Sequence, residues 1–421
     1  MSSNIQEALR RGPAAAAHIV QSPALYPHVQ TGSLALRKSQ TPVLHRRRTM
    51  NVFNSSTLPV DAFSSACFAD ITLGSADVID GVTLRLTVQN GTGAALQNWF
   101  AAWVWTIFER IDILAENGST VLESILPDHL LRAWYRLDGE RYRAVARGLI
   151  GETASAYVDG APPDEIPIGG SRTIYVPLLS CMLARHEVAP FALSAPIVIR
   201  TFFRGPSVFT GPQTGTQVPN GVGGLTVSAF DAVLTCHQYD QSDRLSLTNR
   251  YAAAGLKTPP LDIRYARPGY QRSTEAVPST TAMHTIRLSS VQGLVTSLNI
   301  LVRDLSGLGT ALFHPPTVVD LLDERGASVY GSPLSYELLQ ATECVSQGIY
   351  SSFTSATKVL PIPVGGESGE DSGAISGYIP MSGNHQLSFK LGVTGSFEVT
   401  VIYRTVAVAR IEKSHITIHN S

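Results

Sequence analysis

Two segments decide how this chain folds: IDILAENGSTVLESILPDHLLRA at 111–133 and VDLLDERGASVYGSPLSYELLQA at 319–341. Laid over one another at a shift of 208, without gaps, they agree at ten of 23 positions. Chance at ordinary composition gives about one or two. The identities are Asp112/Asp320, Leu114/Leu322, Glu116/Glu324, Gly118/Gly326, Val121/Val329, Ser124/Ser332, Leu126/Leu334, Leu130/Leu338, Leu131/Leu339 and Ala133/Ala341. Each copy reads as a strand, a Gly-containing turn, a short strand and a short helix, with Ser332-Pro333 as N-cap and first helical residue. A repeat of this length means one structural unit used twice.

Working outward, other pieces recur near the same shift. LRLTVQNGTG at 84–93 resembles LNILVRDLSG at 298–307 at a shift of 214, and Pro167/Gly170 match Pro380/Gly383 at 213, each pair leading into a strand. The intervening pattern is β throughout. Apolar residues alternate at Leu84-Leu86-Val88, Ile111-Ile113, Ile174-Val176 and Ile197-Ile199, and again at Leu298-Ile300-Val302, Leu387-Phe389-Leu391 and Val399-Ile402. LTVSAFDAVLTCHQY at 225–239 reads as the last strand of the first copy, and VAVARIEKSHITIHNS at 406–421 as its counterpart. Residues 241–280 then carry the crossover, with a short helix near 242–254. The breaker-rich stretches at 205–224 and 360–380 read as surface loops.

The chain has 421 residues, 44% hydrophobic and only 15% charged, with a formal net charge of -1. That balance gives no support to a protein whose main work is gripping nucleic acid through a whole-surface positive field. The apolar content excludes global disorder. The first 50 residues differ: Arg10, Arg11, Arg37, Lys38, Arg46, Arg47 and Arg48 face one acid, Glu7, for a local +6 against -7 in the remainder. This is a tail, or an arm that touches something acidic or threads along a partner. No apolar h-region opens the chain, so no secretion signal is expected. FAAWVWTIF at 100–108 is far too short to span a membrane. Cys67, Cys181, Cys236 and Cys344 form no CxxC and read as buried apolar residues.

Little catalytic chemistry is written in the chain. His415 and His419 fall in a strand, which sets them about 13 Å apart, and His186-Glu187 lacks the second His of HExxH. No GxSxG elbow or P-loop is present; GGESGEDSG at 365–373 has neither the strand nor the Lys. Asp112, Glu116, Asp320 and Glu324 could suggest paired catalytic carboxylates, but their membership of the duplicated unit points to framework. Trp99, Trp103, Trp105 and Trp134, all the chain's tryptophans, suit an aromatic core or subunit contact better than a sugar-stacking platform. No enzyme activity, cofactor or metal is expected.

A basic arm (AAAAHIVQSPALYPHVQTGSLALRKSQ), two β domains of similar size, the strand TLRLTVQNGTG with its copy SLNILVRDLSG, the unit IFERIDILAENG and the closing strand SAFDAVLTCHQYDQ together resemble the double jelly-roll major capsid proteins of tailless icosahedral double-stranded DNA viruses, tectivirus-like phages included. The resemblance implies an all-β chain of two consecutive eight-stranded jelly rolls, short helices in the connections and an extended N-terminal arm. The expected divisions are 1–58 for the arm, 59–241 for the first roll and 242–421 for the crossover and second roll. It further implies a homotrimer whose six rolls form a pseudo-hexagonal capsomer, tiling a shell in the virion after synthesis in the host cytoplasm. Partners would be neighbouring capsomers, penton or minor capsid proteins and an internal lipid membrane, with no sequence-specific nucleic-acid binding. Arg10, Arg11, Arg37, Lys38 and Arg46–Arg48 become assembly or membrane contacts, and Asp112, Gly118, Ser124, Asp320, Gly326 and Ser332 the duplicated framework. The alternative from a different class is a two-domain β-sandwich that binds carbohydrate or acts as an adhesin.

Overall fold

The computed structural model describes residues 47–54, 68–73, 77–91, 96–98, 108–127, 129–130, 164–166, 168–178, 180, 182–183, 188–203, 225–304, 314–344, 359–364 and 378–420. The first roll contains β1 (Arg47–Asn54), β2 (Phe68–Leu73), β3 (Val78–Asn90), β4 (Leu96–Asn98), β5 (Phe108–Ala115), β6 (Thr120–Ile125), β7 (Asp164–Ile166), β8 (Ser171–Leu178), β9 (Ile197–Phe203) and β10 (Leu225–Gln238). Two four-stranded antiparallel sheets result, ordered β1-β10-β3-β8 and β2-β9-β5-β6, with β4 and β7 paired separately. Apart from the β5–β6 hairpin and the separate β4–β7 pair, consecutive strands therefore alternate between sheets, and the first and last lie side by side. That is jelly-roll topology.

Helix α1 (Gln241–Ala253) leads to the second roll: β11 (Leu261–Val277), β12 (His284–Arg287), β13 (Gln292–Asp304), β14 (Val318–Leu322), β15 (Leu334–Ser335), helix α2 (Tyr336–Leu339), β16 (Leu360–Ile362), β17 (Ile379–Ser382), β18 (Gln386–Lys390), β19 (Gly395–Glu412) and β20 (His415–Asn420). The sheets are β11-β19-β13-β16, with β17 also on β13 and β20 on β19, and β12-β18-β14-β15. Each sheet matches its counterpart strand for strand. β3 and β13 are both 13 residues long and start 214 positions apart, the shift at which their sequences align. Where the first roll has the single strand β8, the second has β16 and β17 end to end along β13, at Leu298–Ile300 and Gln292–Val295.

Several sequence expectations need correction. β1 lies inside the stretch assigned to the arm, so the first roll begins by Arg47 and not at 59. β11 fills much of the presumed crossover, and it accommodates Pro268 because it is an edge strand, where a missing N–H is tolerated. The counterpart of β10 is β19, and residues 406–421 are its end plus the extra strand β20. The 360–380 insertion has strands at both ends. The Pro167/Gly170 match is not structural: Gly170 precedes β8, whereas Gly383 leads to β18, the counterpart of β9.

Each roll closes over apolar side chains from the facing sheets, such as Leu84, Leu86, Ile113 and Ile199 in the first and Ile300, Leu321, Phe389 and Val399 in the second. The first core does not stop at its own roll. Ile263, Tyr265, Leu301, Ile402, Ala407, Ala409, Ile411 and Ile416, all from the second roll, belong to it. The overhanging ends of β11 and β19, 17 and 18 residues long, together with β20, carry most of that contribution.

Candidate assembly framework and the seam between the rolls

The duplicated aspartates sit on the outward face of each β5/β14 strand, because their neighbours Ile111, Ile113, Val319 and Leu321 point into the cores. Both are buried nonetheless, and each takes a serine hydroxyl at 2.7 Å. The Ser124 hydroxyl donates to Asp112, and Arg110 Nε donates to its other oxygen at 3.0 Å. For Asp320 the donor is Ser328, not the aligned Ser332. A buried carboxylate demands such donors. Ser332 does not cap a helix either: the cap of α2 is Ser335, whose hydroxyl accepts the Leu338 N–H at 3.3 Å. Ser124 lies within β6. Gly118 and Gly326 both have positive φ, +89° and +79°, the left-handed region where a Cβ is strained.

Between the two glycine turns the copies diverge in use. Glu116 is itself left-handed at φ 52°, and its carboxylate reaches the second roll, accepting the Ile416 N–H at 2.9 Å and His415 Nδ1–H at 2.8 Å. Ser194 Oγ lies 3.0 Å from the same His415 nitrogen, and its N–H donates to Ser414 O at 2.9 Å. Further along the seam, the Tyr265 hydroxyl donates to Leu122 O at 2.7 Å and Arg267 to Val121 O at 3.0 Å. His129 accepts the Leu126 N–H at Nδ1, which leaves Nε2–H to donate across the seam to Gly269 O at 3.1 Å. A Cβ at Gly269 would come to 2.5 Å from the Tyr403 ring, which would have to shift to admit it. Arg110 completes the line, donating to the Tyr270 hydroxyl at 3.4 Å.

Charge on the sheets is neutralised in place. Arg85–Asp231, Arg200–Asp70, Arg410–Asp262 and Arg303–Glu398 are all directly opposed cross-strand pairs. The first three are bidentate, with contacts of 2.7 to 3.1 Å. On the outward face of β2-β9-β5-β6 the guanidinium groups also cover rings, Arg110 over Phe202 at 4.2 Å and Arg200 over Phe68 at 4.4 Å. At the end of β10, Asp77 accepts the Tyr239 N–H at 2.6 Å and pairs with Arg244 of α1. Burial raises its carboxyl above the ordinary value despite both partners.

Of the arm cations, Arg10, Arg11, Arg37, Lys38 and Arg46 lie outside the described residues, as do the four tryptophans, His186-Glu187, 205–224 and 365–377. Arg47 and Arg48 open β1, opposite Gln238 and His237. Among the described residues no cluster of three metal-ligating side chains occurs, and no helix is long and apolar enough to cross a membrane. Sequence reasoning placed Glu116 in the duplicated framework and His415 in a strand without seeing that they meet, and it passed over the seam residues His129, Tyr265, Gly269 and Tyr270. The run Tyr-Ala-Arg-Pro-Gly-Tyr at 265–270 was the available signal, a stretch too polar for a core strand and too aromatic for an exposed crossover.

No family profile matches the chain, and no curated protein matches its sequence. Its fold has relatives among solved structures. The PBCV-1 virus capsid chain superposes with a TM-score of 0.66 at 11% identity, covering 90% of this chain and 98% of that one. The Faustovirus major capsid protein gives 0.56 at 10%, covering 87% and 91%. A chain of the Sputnik virophage gives 0.53 at 12%, covering 90% of each. Nearly end-to-end coverage of both chains means that the likeness extends to the whole architecture and not to one common sandwich. The chain has the double jelly-roll fold of the major capsid proteins of icosahedral double-stranded DNA viruses.

Proposed function

We propose that this chain is a major capsid protein, a structural subunit whose homotrimers present six rolls as a pseudo-hexagonal capsomer and tile an icosahedral shell. The single observation that carries this reading is the fused pair of rolls: the second roll completes the core of the first through Tyr265, Ile402, Ala409 and Ile416. A rigid two-roll block, repeated by a threefold axis, turns threefold symmetry into near-sixfold outline. Low charge suits a protein whose flanks are covered by neighbours. On this reading the arm residues Arg10, Arg11, Arg37, Lys38 and Arg46 make inner or intercapsomer contacts, and penton or minor capsid proteins and a lipid layer are the further partners. The protein belongs in the virion, and its work is assembly and not catalysis.

The test is the native mass of the purified chain by light scattering behind a sizing column, with negative-stain images of the same peak. Three chains of 45.1 kDa make a species of about 135 kDa, expected with a hexagonal outline. A stable monomer that binds glycans would overturn the shell reading in favour of a carbohydrate-binding sandwich.

A further inference from the structure

His129 is bound at both ring nitrogens, and only one protonation state allows it. A short helix begins just before it: the N–H groups of His129 and Leu130 both donate to Leu126 O, which makes Leu126 the N-cap and Pro127 the first helical residue. His129 then stands at the third helical position, where its Nδ1 accepts the N-cap's own N–H at 3.1 Å. In a capping box a Glu or Gln fills that place. A backbone N–H can only donate, so Nδ1 carries no proton and Nε2 does. Nε2–H in turn reaches Gly269 O of β11 at 3.1 Å. One buried side chain thus ties a helix start of the first roll to the second roll. At the shift of 208 its counterpart is Glu337, exposed on α2; the histidine belongs to the seam and not to the duplicated framework.

The other histidine of the seam responds to a proton in the opposite way. His415 Nδ1–H donates to Glu116, with Ser194 Oγ beside the same nitrogen and Glu412 opposite on β19. A second proton there goes to Nε2, leaves the bond in place and sets a cation against a carboxylate. At His129 the second proton goes to Nδ1 and turns N–H against N–H. The charged and titratable groups on the elements around this end of the seam are Arg110 and Asp112 of β5, Glu123 of β6, Arg267, Tyr265 and Tyr270 of β11, and Tyr403 of β19. Two of these are cations, and each carboxylate already takes a donor, Asp112 from Arg110 and Ser124 and Glu123 from the Met182 N–H. Asp128, on the same turn, lies outside the described residues.

We propose that His129 is a proton-operated latch between the rolls. Neutral, it holds β11 to the first roll; protonated in weak acid, it lets go of both partners, and the seam loosens from this end while the His415–Glu116 end holds. The latch lies within one chain, so it works in a monomer or a trimer alike.

Amide hydrogen exchange of the full chain, read by mass spectrometry at about pH 7.5 and about pH 5.5 and corrected for the intrinsic pH dependence of exchange, tests this. A released histidine takes up a proton near pH ~6.5, so the ratio of open to closed at Leu126 should rise about tenfold at the lower pH. The segment spanning Leu126 should show that gain, and Val318–Leu322 in the second roll should not. His129→Gln keeps an acceptor for the Leu126 N–H and a donor for Gly269 O but cannot titrate, and it should abolish the gain; His415→Gln should leave it. Absence of the gain in the unmodified chain overturns the latch, and that readout needs no variant to fold. The same gain in His129→Gln, or its loss in His415→Gln, overturns it as well by assigning the acid response to another group.

Discussion

At the residue scale, Tyr251 shows how the connection between rolls is locked. It is fully buried at the end of α1, and its oxygen accepts the Ala189 N–H at 3.2 Å. Burial holds the phenol neutral and pushes its pKa up from 10.0 to about 12. The folded chain thus retains a proton that the unfolded chain gives up, so this contribution to stability is complete below pH 10 and is lost as the pH rises towards 12. Tyr251→Phe should cost about 1–3 kcal/mol at neutral pH, because a buried N–H loses its acceptor. It should also flatten the alkaline slope. Denaturant melts of both proteins at neutral and alkaline pH check this; an unchanged slope would show that Tyr251 does not report the alkaline transition. The duplicated aspartates make the complementary point about legibility. Their conservation between copies was visible in sequence, but Asp320 uses Ser328 where Asp112 uses Ser124. A carboxylate needs a donor nearby, not one at a fixed spacing, and no alignment states which serine supplies it.

At the element scale, the strands with clean alternation were legible: β3, β9 and β13 stand where the apolar periods placed them, and β10 where a closing strand was read. The failures at β11, β19 and β20 share a cause. β11 and β19 are longer than one sheet needs, and their overhanging ends serve the first roll's core, so their pattern mixes two environments. β20 is the extreme case, a hairpin return whose burial alternates between an exposed His415, a buried Ile416 and an exposed Thr417. It belongs to the second roll by hydrogen bonding and to the first by packing. Ile416→Ala should therefore destabilise the chain by about 2–4 kcal/mol through the cavity it leaves. Thr417→Ala, one residue along, should stay within about 0.5 kcal/mol. Equilibrium unfolding in denaturant measures both. Equal, small effects would mean that β20 is an ornament on β19 and does not couple the rolls.

At the scale of the whole molecule, charge is divided between the arm and the body. The first 46 residues hold five cations and Glu7, a net +4, against a formal -1 for the chain, so what remains without them is -5. A shell of such subunits brings net-negative bodies side by side, and a cationic segment from each chain offsets that repulsion wherever it reaches a neighbour. Contacts of this kind are screened: raising salt from ~0.1 M to ~1 M shortens the screening length from about 10 Å to about 3 Å. The seam between rolls, by contrast, is made of buried apolar side chains and short hydrogen bonds, which salt of this strength leaves in place. Deleting residues 1–46 should accordingly leave the trimer and its thermal stability unchanged, since β1 and every core residue among the described residues lie beyond that point. It should remove the salt-sensitive growth of trimers into larger species. Light scattering of full-length and truncated protein across that salt range separates the two levels of assembly. Loss of the trimer itself on truncation would place the arm within the capsomer, and salt-independent growth in both proteins would assign assembly to the rolls alone.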